Sequence, residues 1–342
     1  MNLRHSIFTW RYAVLATFLL LIRAAAAGAQ AFSDVPKNDV IYDAVVYLKD
    51  RGIINGFPDG TYRSDAKVTR AEALKMIVTA KGITPDDVKK YTSTPFTDVP
   101  KGTWFLPYVE WGRKDLSIID GPPKAQEFHP NRTVQKVEFL KMLFLAQGMD
   151  AAANADVKLP LSIDVSDVNA WYYPHMRLAL SSSTTAPGKN GYLSPDRALT
   201  RGDVALLLHR LLLYKEGRRT QDLLSQIETE AITIVSALNA KNIRTAEYAS
   251  VRALLYARGA KAVVPDEPIV GAALKVTEGF RALVRGYGAQ SEKKYDDALK
   301  LYQDAWNIGK TAMALSSSAK TYATGIQKSA QQLANDVRAL KK

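Results

Sequence analysis

Residues 32–36 read FSDVP, and residues 96–100 repeat the pattern as FTDVP, 64 positions later. A weaker copy, VSDV, stands at residues 165–168. Self-similarity at a spacing of this size is typical of supersecondary units that bury their apolar faces only by packing on one another. These stretches therefore predict three repeats that fold together.

Two further features follow each copy in the same order. The first is a turn-rich segment, and its three versions are GFPDGTY at 56–62, the segment 121–130 that runs from GPP to FHP, and GYLSP at 191–195. The second is a helix start, with TRAE at 69–72, QKVE at 135–138 and TRGD at 200–203. Each repeat is therefore predicted to be a helix, a turn and a second helix.

The start of the second helix in the first repeat carries a capping signal. Thr69 is a good N-cap residue, and Glu72 three positions later completes a capping box. Behind them, small and apolar residues recur at helical spacing and predict a buried stripe: Ala73, Met76, Ile77 and Ala80. Asp34, Asp98 and Asp167 precede the first helices of the repeats, so we expect their carboxylates to cap free backbone N–H groups there.

This combination of motifs resembles the S-layer homology domain. The first repeat holds the family's pattern almost complete, as FSDV at 32–35, GIINGFPDGTY at 52–62 and TRAE at 69–72. The resemblance covers about residues 32–214. It implies an all-α fold of three helix–turn–helix repeats in a pseudo-threefold arrangement, with ligand grooves between neighbours. It also implies non-covalent attachment to cell-envelope glycan, either a secondary cell-wall polymer, often pyruvylated, or peptidoglycan.

The resemblance assigns glycan binding to particular side chains. The groove arginine of the family, the second residue of TRAE, falls on Arg70 and Arg201, whereas the second repeat has Lys136 there. A planar guanidinium can hold a ketal or lactyl carboxylate with two parallel hydrogen bonds, which an ammonium group cannot do. The alternative for Arg70 is an ion pair with acids near the helix start.

Four more residues are candidates for the grooves. Trp104 and Trp171 follow the Asp-Val turns of the second and third repeats, and each could stack on a sugar ring or pack in the core. Gly56 and Asp59 belong to the turn of the first repeat, where they could line a groove or serve the turn alone.

The first thirty residues have the organisation of a signal peptide. Arg4, His5 and Arg11 precede an apolar run at 12–22, and small residues dominate 24–31. An apolar run of this length forms a helix of about 17 Å, too short for the ~30 Å core of a bilayer. We therefore expect export and cleavage near residue 29, the alternative being an uncleaved anchor. No later stretch is apolar enough to predict a transmembrane helix.

The composition excludes several kinds of chemistry. The chain of 342 residues has no cysteine, which rules out disulfides, thiolate nucleophiles and Cys-ligated metals. Its four histidines, at 5, 129, 175 and 209, lack the close spacing of a helical metal pair. No motif of a hydrolase, a P-loop or a dinucleotide site is present. We expect no catalytic residues, no metal and no cofactor.

The net charge of +12 is unevenly distributed. Residues 1–29 contribute +3, residues 30–214 contribute +2 and residues 215–342 contribute +7. The basic surplus in the last third is spread along the whole segment. It favours a general attraction to anionic envelope polymers over nucleic-acid binding, which needs a focused basic face.

Residues 216–342 are predicted to be helical almost throughout, as a bundle or a coiled coil. One apolar stripe consists of Leu223, Leu224, Ile227, Ala231, Ile234, Val235 and Leu238. Further helices are predicted at 245–260, 269–286 and 295–340. Pro268 suits a helix start, and the length of the last stretch predicts a break near Gly309 or at 316–318.

The predicted organisation is a signal peptide at 1–29, three repeats at 30–90, 91–158 and 159–215, and the helical bundle at 216–342. The predicted function is non-enzymatic: the repeats anchor an exported cell-surface protein to wall glycan, and the bundle is a spacer or docking surface. The alternative is a self-assembling surface scaffold, in which the bundle forms homo-oligomers and the repeats are structural.

Overall fold

The computed structural model describes residues 31–121 and 124–341. The signal peptide predicted at 1–29 lies outside these residues. Within the described part, the regular structure is helical, accompanied only by isolated β-bridges. The prediction of an all-α fold is therefore confirmed.

The helices divide into a short set and a long set. The short set is α1 (Tyr42–Asp50), α2 (Arg70–Ala80), α3 (Pro85–Val88), α4 (Leu106–Lys114), α5 (Lys136–Ala146), α6 (Tyr173–Ser181) and α7 (Arg201–Lys215). The long set is α8 (Thr220–Asn239), α9 (Ile243–Val263), α10 (Pro268–Ser291), α11 (Tyr295–Leu315) and α12 (Lys320–Leu340).

The second helix of each repeat begins where its capping residues predict. The Thr69 N–H donates to Glu72 Oε2 at 2.8 Å, and the Glu72 N–H donates back to Thr69 Oγ1 at 3.3 Å. Thr200 and Asp203 form the same capping box at the start of α7. Three members of the predicted stripe behind Thr69 are buried, namely Ala73, Met76 and Ile77. Local sequence therefore determines where α2 begins and which face it buries.

One aspartate in each repeat holds the turn that precedes the second helix. Asp34 accepts hydrogen bonds from the backbone N–H groups of Tyr62 and Arg63, each at 2.7 Å. The equivalent bonds join Asp98 to residues 128–129 and Asp164 to residues 193–194. The last residue of each pair has a left-handed backbone: Arg63, His129 and Ser194, with φ of 59°, 59° and 49°. The carboxylate thus stabilises a backbone conformation that is unfavourable for residues other than glycine.

These contacts correct two sequence predictions. Asp34 and Asp98 do not cap the helix that follows them, because their partners lie about thirty residues further along the chain. In the third repeat the aspartate that holds the turn before the second helix is Asp164, whereas the sequence pattern pointed to Asp167. Asp167 makes only a local turn, accepting the backbone N–H of Asn169 at 2.9 Å.

A closed ring of three backbone hydrogen bonds joins the repeats at their centre. The Val68 N–H donates to the Leu199 carbonyl at 3.1 Å, and the Leu199 N–H donates to the Val134 carbonyl at 3.0 Å. The Val134 N–H completes the ring on the Val68 carbonyl at 3.0 Å. All three residues have no exposed surface, so water cannot replace a missing partner. We call this set of bonds the central ring.

A second set of bonds connects each helix start to the loop of the next repeat. The N–H groups of Arg70 and Ala71 donate to the carbonyls of Arg132 and Pro130. Each of the other two junctions has two such bonds, with the donor named first: Lys136 to Arg197 and Val137 to Pro195 at one, and Arg201 to Ala66 and Gly202 to Ser64 at the other. N–H groups in the first turn of a helix have no partner within it, so the neighbouring loop supplies one. This connectivity fits three units in a cycle; their pseudo-threefold symmetry stays a prediction.

The first long helices pack against the repeats. The apolar core that begins at Phe32 continues through Leu223 and Ile227 of α8 to Leu255 of α9. Where α9 meets α6, a Cβ on Gly259 would lie 1.6 Å from the Ser181 carbonyl oxygen. Only glycine permits this approach, so the sequence of α9 fits it closely to the third repeat.

A buried ion pair reinforces this contact. Arg252 on α9 donates to both carboxylate oxygens of Glu230 on α8, at 2.6 and 2.7 Å. It also donates to the Leu161 carbonyl of the third repeat at 2.9 Å. The core therefore crosses the boundary placed at 215/216, and the domain limits themselves stay predictions.

A second core joins all five long helices. It is built largely of alanine and other small residues, and Tyr302 and Phe280 are its aromatic members. Pro268 begins α10, as expected. The predicted break in the last stretch falls at Ser316, where a 3₁₀ turn at Ser317–Ala319 separates α11 from α12, and Gly309 lies inside α11. Among the described residues, no helix has the length and hydropathy needed to cross a membrane.

We predict that Asp164→Ala and Asp167→Ala will differ in their effect on stability. Asp164 holds two backbone N–H groups, so its loss should lower the free energy of unfolding by about 2–4 kcal/mol. Asp167 makes one exposed local bond, worth about 0.5–1 kcal/mol. Urea unfolding followed by circular dichroism measures both; equal effects would contradict the assignment of this role to Asp164.

Candidate functional site

Three basic residues, each the first of its helix, lie at the junctions between repeats. They are Arg70 of α2, Lys136 of α5 and Arg201 of α7. The backbone of each is bonded to the loop of the adjacent repeat, and the side chain reaches the turn of that same repeat. The sequence equivalence of the three positions is therefore matched by equivalent places in the structure.

Of the three cationic side chains, that of Arg70 forms the fewest contacts within the protein. Its guanidinium lies 5.1 Å from the centre of the Phe128 ring and forms no ion pair or hydrogen bond with another described residue. Burial lowers the pKa of Arg70, and the carboxylate of Glu138 partly opposes that effect. Among the described residues, Arg70 forms no ion pair with an acid near the helix start, which was the alternative to ligand binding. Arg70 therefore has donors available for an anionic ligand.

Lys136 is more enclosed. Only 6% of its surface is exposed, and its Nζ donates to the Leu193 carbonyl of the third repeat at 2.7 Å. Burial, with a contribution from Arg197, lowers the pKa of Lys136 to about 8. A nearby anion would oppose both effects, so the ionisation of Lys136 should respond to what binds at this junction.

Arg201 is held by the first repeat. Its Nε donates to the Tyr62 carbonyl at 2.8 Å and its Nη2 to the Asn55 carbonyl at 3.2 Å. The guanidinium also lies 4.7 Å from the Tyr62 ring centre and 5.0 Å from that of Phe57. Part of its donor capacity is therefore used within the protein.

The two tryptophans are surface residues. Trp104 is 52% exposed and Trp171 is 56% exposed, so the core-packing alternative is not what the structure shows. Lys75 Nζ lies 5.5 Å from the Trp104 ring centre, and Lys141 Nζ lies 5.9 Å from that of Trp171. Each pair joins the second helix of one repeat to the next repeat, and sequence reasoning missed both lysines.

The junction between the third and first repeats differs from the other two. The first repeat has Val40 where the others have tryptophan, and Val40 is 80% exposed. Leu206 stands on α7 where α2 and α5 carry Lys75 and Lys141, at the same distance from the start of the helix. This junction therefore lacks both the aromatic face and the lysine.

Gly56 and Asp59 are engaged in the turn of the first repeat. A Cβ on Gly56 would lie 2.4 Å from the Phe32 ring, so glycine is needed for that close approach. The Asp59 carboxylate accepts from both the backbone and the hydroxyl of Thr61, and from Arg63 at 2.8 Å. The hydrogen bonds from Thr61, with that from Arg63, lower the pKa of Asp59 to about 2. Contact of either residue with glycan stays a prediction.

One group of potential metal ligands comes together in the second repeat. Side-chain atoms of Asp98, Glu127 and His129 lie within 4.8 Å of one another. Asp98 already accepts two backbone N–H groups, and the other two residues are exposed. The sequence did not suggest this grouping, because Asp98 is far from the other two in the chain.

Comparison with known families agrees with this geometry. Residues 31–74, which include the first Asp-Val turn, the PDG turn and the TRAE helix start, match the family model of the S-layer homology domain. The chain thus carries an S-layer homology domain. The family is generally non-enzymatic.

Several curated proteins are similar over longer stretches. The middle cell wall protein of Brevibacillus brevis is 27% identical over 206 residues, which are 60% of this chain and 17% of that protein. The cell surface protein of Thermoanaerobacter kivui is 28% identical over 254 residues, covering 71% and 30% of the two chains. S-layer protein EA1 of Bacillus anthracis is 23% identical over 185 residues, covering 54% and 20%.

The chain thus spans less than a third of the length of these relatives. Their names refer to the cell wall, the cell surface and the S-layer. Together with the family match, they confirm the prediction of an exported cell-surface protein.

The lowered pKa of Lys136 predicts a particular dependence of stability on pH. Between about pH 8 and 10.5 the unfolded chain keeps a proton on Lys136 that the folded chain has lost. The free energy of unfolding of the native sequence should therefore rise with pH in this interval, relative to that of Lys136→Met. Urea unfolding at several pH values measures the free energy of unfolding of both chains. Because both contain the same tyrosines, the effect of tyrosine titration cancels in the difference between them. Lys141→Met on the same helix is the control, and an identical slope in native and Lys136→Met chains would contradict the lowered pKa.

Proposed function

We propose that the three repeats anchor the chain non-covalently to an anionic glycan of the cell envelope, and that this role is not catalytic. The observation that carries the proposal is the Arg70 guanidinium, which is partly buried at a junction and forms no ion pair or hydrogen bond with a described side chain, Glu138 being an acid that acts on it without direct contact. A buried cation without a partner is unfavourable, and a carboxylate on the ligand would remove that cost.

The first junction has the parts that a carboxylated sugar requires. Arg70 supplies a planar fork of donors that fits a ketal or lactyl carboxylate. Trp104 presents an exposed ring face for a sugar to stack on, and Lys75 adds a positive charge beside it. All three belong to the junction of the first and second repeats, so we expect this junction to be the strongest of the three.

The second junction supports a weaker interaction of the same kind. Trp171 and Lys141 repeat the exposed pair, but Lys136 is enclosed and bonded to the Leu193 carbonyl. The third junction offers Arg201 without a tryptophan, and main-chain carbonyls already use two of its donors. We propose that these two junctions add to the avidity of binding more than to its specificity.

The long helices serve as a rigid extension in this proposal. The Glu230–Arg252 pair and the close approach at Gly259 fix α8 and α9 to the third repeat, so α10 to α12 would have a defined direction relative to the wall. That geometry suits a spacer or docking surface. Homo-oligomerisation and S-layer-like assembly of this chain stay predictions.

Cosedimentation with purified wall sacculi tests the proposal. Native protein should bind, and Arg70→Gln should weaken binding about 10- to 100-fold, the equivalent of a lost charged hydrogen bond. Trp104→Ala should weaken it to a similar extent, whereas Arg244→Gln on α9 removes the same charge at a distance and should bind as the native chain does.

Two further comparisons identify the polymer and exclude trivial outcomes. Sacculi stripped of their secondary polymer by mild acid distinguish that polymer from peptidoglycan as the ligand. Circular dichroism confirms that each variant is folded. Failure of the native chain to sediment with either kind of sacculus would overturn the anchoring proposal, and native binding by folded Arg70→Gln would remove Arg70 from the site.

A further inference from the structure

A second concave site lies among the long helices, away from the repeat junctions. It is a cavity of about 370 Å³, formed where residues 156–159, between α5 and α6, meet α9, α10 and α11. None of the residues proposed to bind glycan lines it. Its size is within the range of pockets that hold small ligands.

Three arginines from two helices line this cavity. Arg258 comes from α9, and Arg281 and Arg285 come from successive turns of α10. Arg258 is paired with Asp156 at 2.7 Å. Within the described chain, Arg281 and Arg285 form no ion pair with an acidic side chain, so two positive charges in the cavity have no direct partner.

Arg281 is the most informative of the three. Its Nη1 is buried and has no hydrogen-bond partner. Burial lowers the pKa of Arg281, and the charges of Arg285 and Arg258 lower it further. A buried donor without an acceptor is unfavourable, and like charges four residues apart on a helix also destabilise it. Unbound, this arrangement is therefore unfavourable.

The acidic side chains around the cavity relieve it only in part, through the charge of Asp156. Asp156 is used by Arg258, and Glu278 is bonded to Lys275 at 2.6 Å. Asp304, on α11, is exposed and forms no ion pair with a described residue. An oxyanion that enters between Arg281 and Arg285 would accept hydrogen bonds from both planar guanidinium groups.

The rest of the wall is apolar and limits the kind of ligand. Leu159, between α5 and α6, Leu254 from α9 and Ile308 from α11 line the same cavity. Leu159 is 39% exposed. A ligand that placed an apolar group here would remove this surface from water.

We propose that this cavity is a binding site for a small oxyanion, a phosphate or carboxylate group, attached to an apolar substituent. Arg281 and Arg285 of α10 hold the anion, and the leucine and isoleucine side chains hold the substituent. The site is independent of glycan binding by the repeats, so each can fail without the other.

Isothermal titration of the purified full chain tests the proposal. The probes are inorganic phosphate, phenyl phosphate, acetate and, at matched ionic strength, chloride. Phosphate should bind with a dissociation constant in the millimolar range and phenyl phosphate about 5- to 20-fold more tightly, since its ring buries apolar surface. Acetate binding would extend the site to carboxylates, and its absence would assign the site to phosphates. Absence of heat with phosphate, phenyl phosphate and acetate would overturn the proposal.

Charge-removing variants locate the site. Arg281→Gln should reduce the affinity for phenyl phosphate at least about 10-fold, and Arg285→Gln, on the exposed rim, keeps the test valid if the first variant fails to fold. Lys328→Gln on α12 removes one charge away from the cavity and is the matched control. Native affinity in a folded Arg281→Gln or Arg285→Gln chain would overturn the proposal, as would an equal loss in Lys328→Gln. Equal affinity for phosphate and phenyl phosphate would overturn its apolar part.

Discussion

The structure depends on the central ring, in which Val68, Leu199 and Val134 each donate one backbone hydrogen bond and accept one. Each member belongs to a different repeat, and all three are fully buried. If one repeat moved away, two of the three bonds would break and leave unpaired N–H and carbonyl groups without water. A unit of two repeats would therefore carry a penalty that the closed unit of three does not.

The position of the cations follows from this constraint. Arg70, Lys136 and Arg201 stand in the first turn of a helix, where the helix dipole disfavours positive charge. The ring requires the backbone at these positions to bond to the neighbouring loop, and the side chains consequently emerge between repeats. Residues that break a local rule without a structural gain are expected at functional sites. Arg70 fits that expectation best, because its guanidinium forms no hydrogen bond or ion pair with a described residue.

Much of the fold could be predicted because its signals are local. The Thr69–Glu72 capping box, the helix start at Pro268 and the break at Ser316 each depend on residues within a few positions of one another. Local signals could not identify which aspartate holds the turn of the third repeat. Asp164 and Asp167 are both followed by valine, and only the partners thirty residues later distinguish them.

The sites were predictable only in part, for a related reason. The TRAE motif identified Arg70 because a family pattern records it, but no pattern within α2 or α5 indicates that Lys75 or Lys141 lies beside a tryptophan of the next repeat. The arginine cavity draws its lining from four separate segments of the chain, and the lack of a partner for Arg281 is a property of the assembled structure alone.

Native-state hydrogen exchange at the amides of Val68, Val134 and Leu199 tests most directly whether the three repeats are one cooperative unit. Since each amide is a member of the same closed ring, the account predicts that all three exchange through one common opening, with the same free energy and the same dependence on denaturant. If one of these amides exchanged through a separate opening of lower free energy while the other two stayed protected, the repeats would be independent and the central claim would be contradicted.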